Sequence, residues 1–127
     1  MLIDSSVIVK FFSEEPGWQD AQRYLYSPIS IELSMIELAS ALLKKVRRKE
    51  FDESKVAYIL ARYPGVFRFI EQKRHIAKAF DIANKNSATV YDSLFIAAAL
   101  QGGHELVTSD GNQAKIARKL GVKTIEC

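Results

Sequence analysis

Short apolar runs alternate with amphipathic helical segments along the whole chain, and this alternation limits the fold more than any other feature. Leu2-Ile3 reads as a short strand that Asp4 ends, and Ser5 or Ser6 can start a helix carrying Val7, Ile8, Phe11 and Phe12. Glu14-Glu15-Pro16-Gly17 breaks that helix, and the next is expected from Trp18 to Tyr26. Ile29 to Leu33 reads as a second strand. A long helix begins near Ser34, is apolar on nearly every side through Leu43, and ends in the basic run from Lys44 to Lys49. A further helix from Asp52 is predicted to stop at Tyr63, because Pro64 disfavours helical geometry in the residue before it. Val66 to Ile70 reads as a strand, and Glu71 to Lys85 shows helical spacing through Ile76, Ala79, Phe80 and Ala83. An almost wholly apolar helix from Val90 to Leu100 stops at Gly102-Gly103. Glu105 to Thr108 is a strand, Gln113 to Leu120 a helix ended by Gly121, and Val122 to Ile125 a last strand. Strands separated by helices pair in parallel, with helices covering both faces. The expected fold class is α/β, as one domain over residues 1–127, since no repeat, linker or low-complexity stretch divides the chain.

Composition narrows the setting. With 127 residues and 48% hydrophobic content, the chain can bury a core without a disulfide or structural metal. One cysteine, Cys127, allows no intrachain bridge, which fits a reducing compartment. No apolar run approaches the roughly 18 residues of a membrane span, and Asp4 interrupts the one candidate signal segment. A cytoplasmic protein without membrane contact is expected. Lysine and arginine total 18 against 15 acids, a mild excess of +3.

In a parallel α/β sheet the carboxyl ends of the strands and the amino ends of the following helices share one edge, where ligands bind. Four acids fall there. Asp4 closes the first strand and Asp110 follows the strand ending at Thr108, while Glu37 and Asp92 sit in the first turns of otherwise apolar helices. Each also has a purely structural explanation. Ser34-x-x-Glu37 and Thr89-x-x-Asp92 match capping boxes, Asp4 can cap a helix, and Asp110-Gly111 can be an ordinary turn. Together they are harder to explain, because like charges about 4 Å apart repel by roughly 4 kcal/mol at an effective dielectric near 20. Clustered acids at a half-buried edge need a cation or a proton. All-oxygen donors suit a hard cation, Mg²⁺ or Mn²⁺, and Ser5, Ser6, Thr108 and Ser109 lie beside the acids as candidate assisting hydroxyls. His75 and His104 lack metal-ligand spacing, so zinc is not expected.

Leu2-Ile3-Asp4-Ser5-Ser6, Glu37 in its helix, Val90-Tyr91-Asp92-Ser93-Leu94-Phe95-Ile96-Ala97 and Leu106-Val107-Thr108-Ser109-Asp110, in this order and spacing, resemble the PIN domain family, especially its small VapC-type toxins. The resemblance spans nearly the whole chain. It implies a Mg²⁺- or Mn²⁺-dependent endoribonuclease in which Asp4, Glu37, Asp92 and Asp110 are the metal-binding and catalytic acids, assisted by the hydroxyls of Thr108 and Ser6. It also implies a 5′-phosphate product, a homodimer and a cognate antitoxin that holds the nuclease inactive. Where some relatives carry further acids or an aromatic after the last Asp, this chain has Gly111-Asn112-Gln113, which leaves the fourth ligand position and any second metal open.

Setting these four acids aside leaves 11 of 15 against 18 positive residues, a balance of +7 that suits an RNA substrate. Lys44, Lys45, Arg47 and Arg48 are candidate phosphate contacts, although the same run serves equally as a solvated helix end at the negative pole of the dipole. Three other readings compete. A receiver domain needs paired acids after the first strand, an acceptor Asp closing a central strand and a Lys closing a late one. Here serines follow Asp4 and the middle acids lie inside helices. A non-catalytic binding module and an RNA-processing nuclease outside a toxin pair also fit the residues.

Overall fold

The computed structural model describes residues 1–127. Five short strands, β1 (Leu2–Ile3), β2 (Ile29–Ile31), β3 (Arg68–Ile70), β4 (Leu106–Thr108) and β5 (Thr124–Glu126), form one sheet in the order β3-β2-β1-β4-β5. Every pairing is parallel, with Leu2 opposite both Ile29 and Leu106 and Thr108 opposite Glu126. Seven helices cover the sheet: α1 (Ser5–Phe12), α2 (Trp18–Gln22), α3 (Leu33–Arg47), α4 (Glu53–Val66), α5 (Ile76–Asn86), α6 (Val90–Gly102) and α7 (Gly111–Lys119). The α/β expectation holds.

Because side chains alternate along a strand, neighbouring residues of the central strands feed different cores. Leu2 and Leu106 pack with α5, α6 and α7, through Ile82, Phe95, Ile96 and Ile116. Ile3 and Val107 pack on the other face with Val7, Ile8, Leu38, Leu42, Ile59 and Tyr63. Helix α6 is buried from Ser93 through Ala99, as its unbroken apolar run predicts. The equally apolar α3 is not: Leu33, Ser34, Leu38 and Leu42 are buried, while Ile36 is 66% exposed and Leu43 faces solvent.

Several boundaries differ from expectation, each for a local reason. Helix α4 passes through Pro64 to Val66, so Tyr63 does not end it and Val66 is not part of β3. Proline in a last turn removes only one backbone bond, and its fixed φ is itself helical. Tyr63, 1% exposed, is held among the rings of Phe12, Phe67 and Phe69 and by its hydroxyl against Ser34 Oγ at 2.6 Å. That anchorage overrides the preference of a pre-proline residue for extended geometry. Helix α2 stops at Gln22 rather than Tyr26, tightening through bonds from Tyr24 N–H to Ala21 and Leu25 N–H to Gln22. Between β3 and α5 the chain makes a 3-10 turn at Lys73–His75, so the segment from Glu71 is not one helix.

Helix α7 starts at Gly111, two residues early, because Asp110 caps it. Its end is a Schellman arrangement, with Val122 N–H on Ala117 and Gly121 N–H on Arg118 around Gly121 at φ +84°. Val122 is thereby spent on closing the helix, and β5 begins only at Thr124. No helix is long and apolar enough to cross a membrane.

Candidate active site

Asp4 lies where β1 passes into α1, at the centre of the sheet, and is 3% exposed. It caps α1, accepting the Ser6 N–H at 3.1 Å. The cap does not exhaust it. The same oxygen, Oδ2, takes the hydroxyl of Ser6 and lies 3.1 Å from that of Thr108, whose proton goes to Gln113 Oε1 at 2.6 Å, and Oδ1 takes Gln113 Nε2 at 3.2 Å. Burial pushes the Asp4 carboxyl above its ordinary range, against the pull of these donors.

Asp110 caps α7, with Oδ1 accepting the N–H groups of Asn112 at 2.9 Å and Gln113 at 3.1 Å. Thr89 caps α6, its hydroxyl accepting the Asp92 N–H at 3.1 Å. Asp92 makes no return bond to the Thr89 main chain, so only half of the expected capping box forms. Burial raises the Asp92 carboxyl, the Thr89 hydroxyl opposes the rise, and the negative charge of Asp110 adds to it.

The capping explanation fails for Glu37. Helix α3 begins at Leu33, which puts Ser34 inside the helix and Glu37 in its second turn. Ser34 instead donates to the Ile31 carbonyl at 2.7 Å. Glu37 accepts the hydroxyl of Ser5, from α1, at 2.9 Å. Burial raises its carboxyl, the Ser5 bond lowers it, and the charges of Asp4 and Asp92 raise it further. Glu37 therefore feels the charges of both Asp4 and Asp92, although the three lie on different elements of the fold.

None of the four carboxylates is paired with a lysine, arginine or histidine, whereas Glu15, Asp20, Asp81, Glu105 and Glu126 all are. No three Asp, Glu, His or Cys side chains stand close enough together to form a ready-made cage for an ion. Such a loose all-oxygen set fits Mg²⁺ or Mn²⁺, since Mg²⁺ is commonly held by one or two carboxylates and keeps several waters.

The two candidate hydroxyls lie behind the acids. Thr108 Oγ1 is fully buried, reaching Gln113 Oε1 at 2.6 Å and accepting the Asp110 N–H at 3.0 Å. Ser6 Oγ also accepts the Ser109 N–H at 2.9 Å. Both hold the carboxylates in place. Of the basic run, Lys45 is engaged by Glu15 at 3.1 Å, which takes it from the surface set. Lys44 lines a groove with Glu37, Ile36 and Tyr91, while Arg47 and Arg48 are exposed at the end of α3.

One contributor escaped the sequence reading. Gln113, 2% exposed, bonds Asp4, Thr108, the Asp92 carbonyl and, through its main chain, Asp110. Its signal was a polar residue on the buried stripe of α7, at helical spacing from Ile116 and Ala117.

A parallel sheet of order 3-2-1-4-5 with helices on both faces and acids near the carboxyl ends of its strands defines the class, an α/β domain. The chain belongs to the PIN domain family, whose model matches residues 1–119. It is 26% identical over 121 residues to Ribonuclease VapC3 of Pyrobaculum aerophilum, covering 91% of this chain and 92% of that protein. The crystal structure of PAE2754 from Pyrobaculum aerophilum superposes with a TM-score of 0.75 at 20% identity, over 97% of this chain and 81% of that one. A toxin-antitoxin complex from Klebsiella pneumoniae gives a TM-score of 0.60 at 16% identity, over 86% of this chain and 85% of its counterpart.

Proposed function

We propose that this PIN domain is a Mg²⁺- or Mn²⁺-dependent endoribonuclease and the toxin of a toxin–antitoxin pair. The observation that carries the reading is the set of four carboxylates at strand ends and early helix turns, three with raised affinity for protons and none neutralised by a basic side chain. Unneutralised acids at a half-buried edge cost stability, a cost that a bound cation offsets.

Asp4 and Asp92 are the direct ligand candidates, with Glu37 and Asp110 binding directly or through water. A bound divalent cation supplies positive charge that shields the phosphodiester and makes water a better nucleophile. The chain's own residues do the rest. Ser6, Thr108 and Gln113 fix the Asp4 carboxylate in place and favour its ionised form against the effect of burial, and Ser5 holds Glu37. Lys44 stands in the groove beside Glu37, where it can meet a backbone phosphate.

The similarity to a VapC ribonuclease supports RNA as substrate, and the toxin–antitoxin neighbour supports an antitoxin partner. An apolar groove of Met35, Ile36, Ala39, Leu43 and Leu60 runs along α3 beside Glu37 and offers that partner a surface. A cytoplasmic homodimer completes the proposal.

The test is Mn²⁺ binding by calorimetry, with cleavage of RNA measured alongside. Native protein binds Mn²⁺ and cuts RNA only when the ion is present; Asp92→Asn stays folded and does neither. Equal binding by both proteins, or none by either at millimolar Mn²⁺, overturns the reading.

A further inference from the structure

Gln113 touches three residues of the acidic edge, Asp4, Asp92 and Thr108, from one buried point. Its Nε2 donates to Asp4 Oδ1 at 3.2 Å and to the Asp92 carbonyl at 3.0 Å, and its Oε1 accepts the Thr108 hydroxyl at 2.6 Å. A carbonyl and a carboxylate oxygen only accept, so the amide can face just one way. Thr108 in turn accepts the Asp110 N–H, and Asp110 accepts the Gln113 N–H. A closed chain of hydrogen bonds thus joins the end of β1, the first turn of α6, the end of β4 and the start of α7.

The division of labour on Asp4 is informative. Ser6 and Thr108 all act on Oδ2, and Gln113 is the sole donor to Oδ1. A carboxylate held through one oxygen can still swing about its Cβ–Cγ bond; a donor on the other oxygen stops that rotation. The second Nε2 bond ties the same amide to the α6 main chain at Asp92. One residue therefore sets both the plane of the Asp4 carboxylate and its place relative to Asp92. An apolar side chain here would fill the space and fix neither.

We infer that Gln113 is a positioning residue for the cation site, aligning Asp4 with Asp92 through its side-chain amide. The inference rests on the metal-dependent reading above.

Gln113→Met keeps the length and bulk of the side chain and removes both donors. Mn²⁺ affinity, measured by calorimetry well below the melting temperature, is expected to fall at least tenfold. Ser30→Ala is the control: Ser30 is equally buried and donates to the Ile3 carbonyl at 2.8 Å, yet touches none of the acids. It loses stability and binds Mn²⁺ as the native protein does. Native-like affinity in Gln113→Met, with Asp92→Asn unable to bind, overturns the positioning role and leaves the metal site standing. No binding by native protein overturns both. Should Gln113→Met fail to fold, titration of native protein with Mg²⁺ decides. The Gln113 side-chain amide resonances shift with the same midpoint as binding if the role is real, and an amide blind to saturating Mg²⁺ refutes it.

Discussion

Ser5 Oγ donates to Glu37 Oε1 at 2.9 Å, a bond between the first turn of α1 and the second turn of α3. It runs between side chains 32 positions apart, so it reports the docking of two helices rather than a local cap. Glu37 thereby has its geometry from tertiary structure, and its negative charge has no structural partner to serve.

Glu37→Gln separates charge from shape. The amide oxygen still accepts from Ser5, so thermal stability is expected to stay within about 0.5 kcal/mol of native. Mn²⁺-dependent RNA cleavage is expected to fall by at least a hundredfold, on the order of the loss of one group that acts on developing charge. Ser5→Ala gives the converse: about 1 kcal/mol of stability lost and partial activity kept, by thermal melts and a cleavage assay.

Asp92→Asn tests the electrostatic cost of the acidic edge. Burial, with the neighbouring Asp110 charge, raises the Asp92 carboxyl in the folded state. A folded group that holds its proton more tightly contributes stability that is complete below its unfolded value and is lost as pH rises through the folded value. At neutral pH without metal, the native protein has lost that contribution, and Asp92→Asn is expected to melt higher. The gain should shrink on acidification and vanish below about pH 3, well under the ordinary Asp value near 3.9, where the carboxyl is protonated in both states. A variant less stable than native at every pH contradicts this account.

The acidic edge was legible because strand ends and helix starts meet there in any parallel sheet, so topology alone brought Asp4, Glu37, Asp92 and Asp110 to one side. The order of the elements was legible for the same reason. What stayed hidden was tertiary. Pro64 looked like a terminator because local geometry cannot weigh the packing of Tyr63 in its aromatic cluster. Ser34 looked like a cap because the Ile31 carbonyl that receives its hydroxyl lies before the expected helix start. Exposure of Ile36 could not be read from a run apolar on nearly every side. Gln113 was invisible as a site residue because its partners, Asp4 and Asp92, are 109 and 21 positions away.

Tyr63→Phe tests whether Tyr63 is held by more than its ring. Its hydroxyl meets Ser34 Oγ in the core, and burial pushes its pKa up to about 12. Ser34 keeps the Ile31 carbonyl as a partner, so the loss is expected to be about 1 kcal/mol, or roughly 4 °C in Tm, with Mn²⁺ binding unchanged. An unchanged melt in calorimetry would show that the aromatic packing alone carries α4 through Pro64.

Asp110 divides two roles that coincide in one side chain. Asn caps a helix about as well as Asp, whereas Ala does not. Asp110→Asn is expected to keep native stability, and Asp110→Ala to lose about 1 kcal/mol. Both remove the charge, so both weaken Mn²⁺ binding. Native-like binding in Asp110→Asn, read by calorimetry, would confine Asp110 to capping α7.

The basic end of α3 poses the same choice between a solvated helix terminus and a substrate surface. Lys45 is set aside by its bond to Glu15, which leaves Lys44, Arg47 and Arg48. All three are exposed, so replacing them with Gln is expected to cost only a few tenths of a kcal/mol each in dipole interaction. If each neutralises one phosphate of single-stranded RNA, the triple substitution lowers the slope of log K against log salt by about 2. Binding is measured by fluorescence anisotropy across a salt series in chelator, so that no RNA is cut. A slope equal to native makes the run a solvated helix end and sends the phosphate path elsewhere. A reduced slope places the RNA along α3, where Lys44 shares a groove with Glu37 and delivers the backbone to the acidic edge.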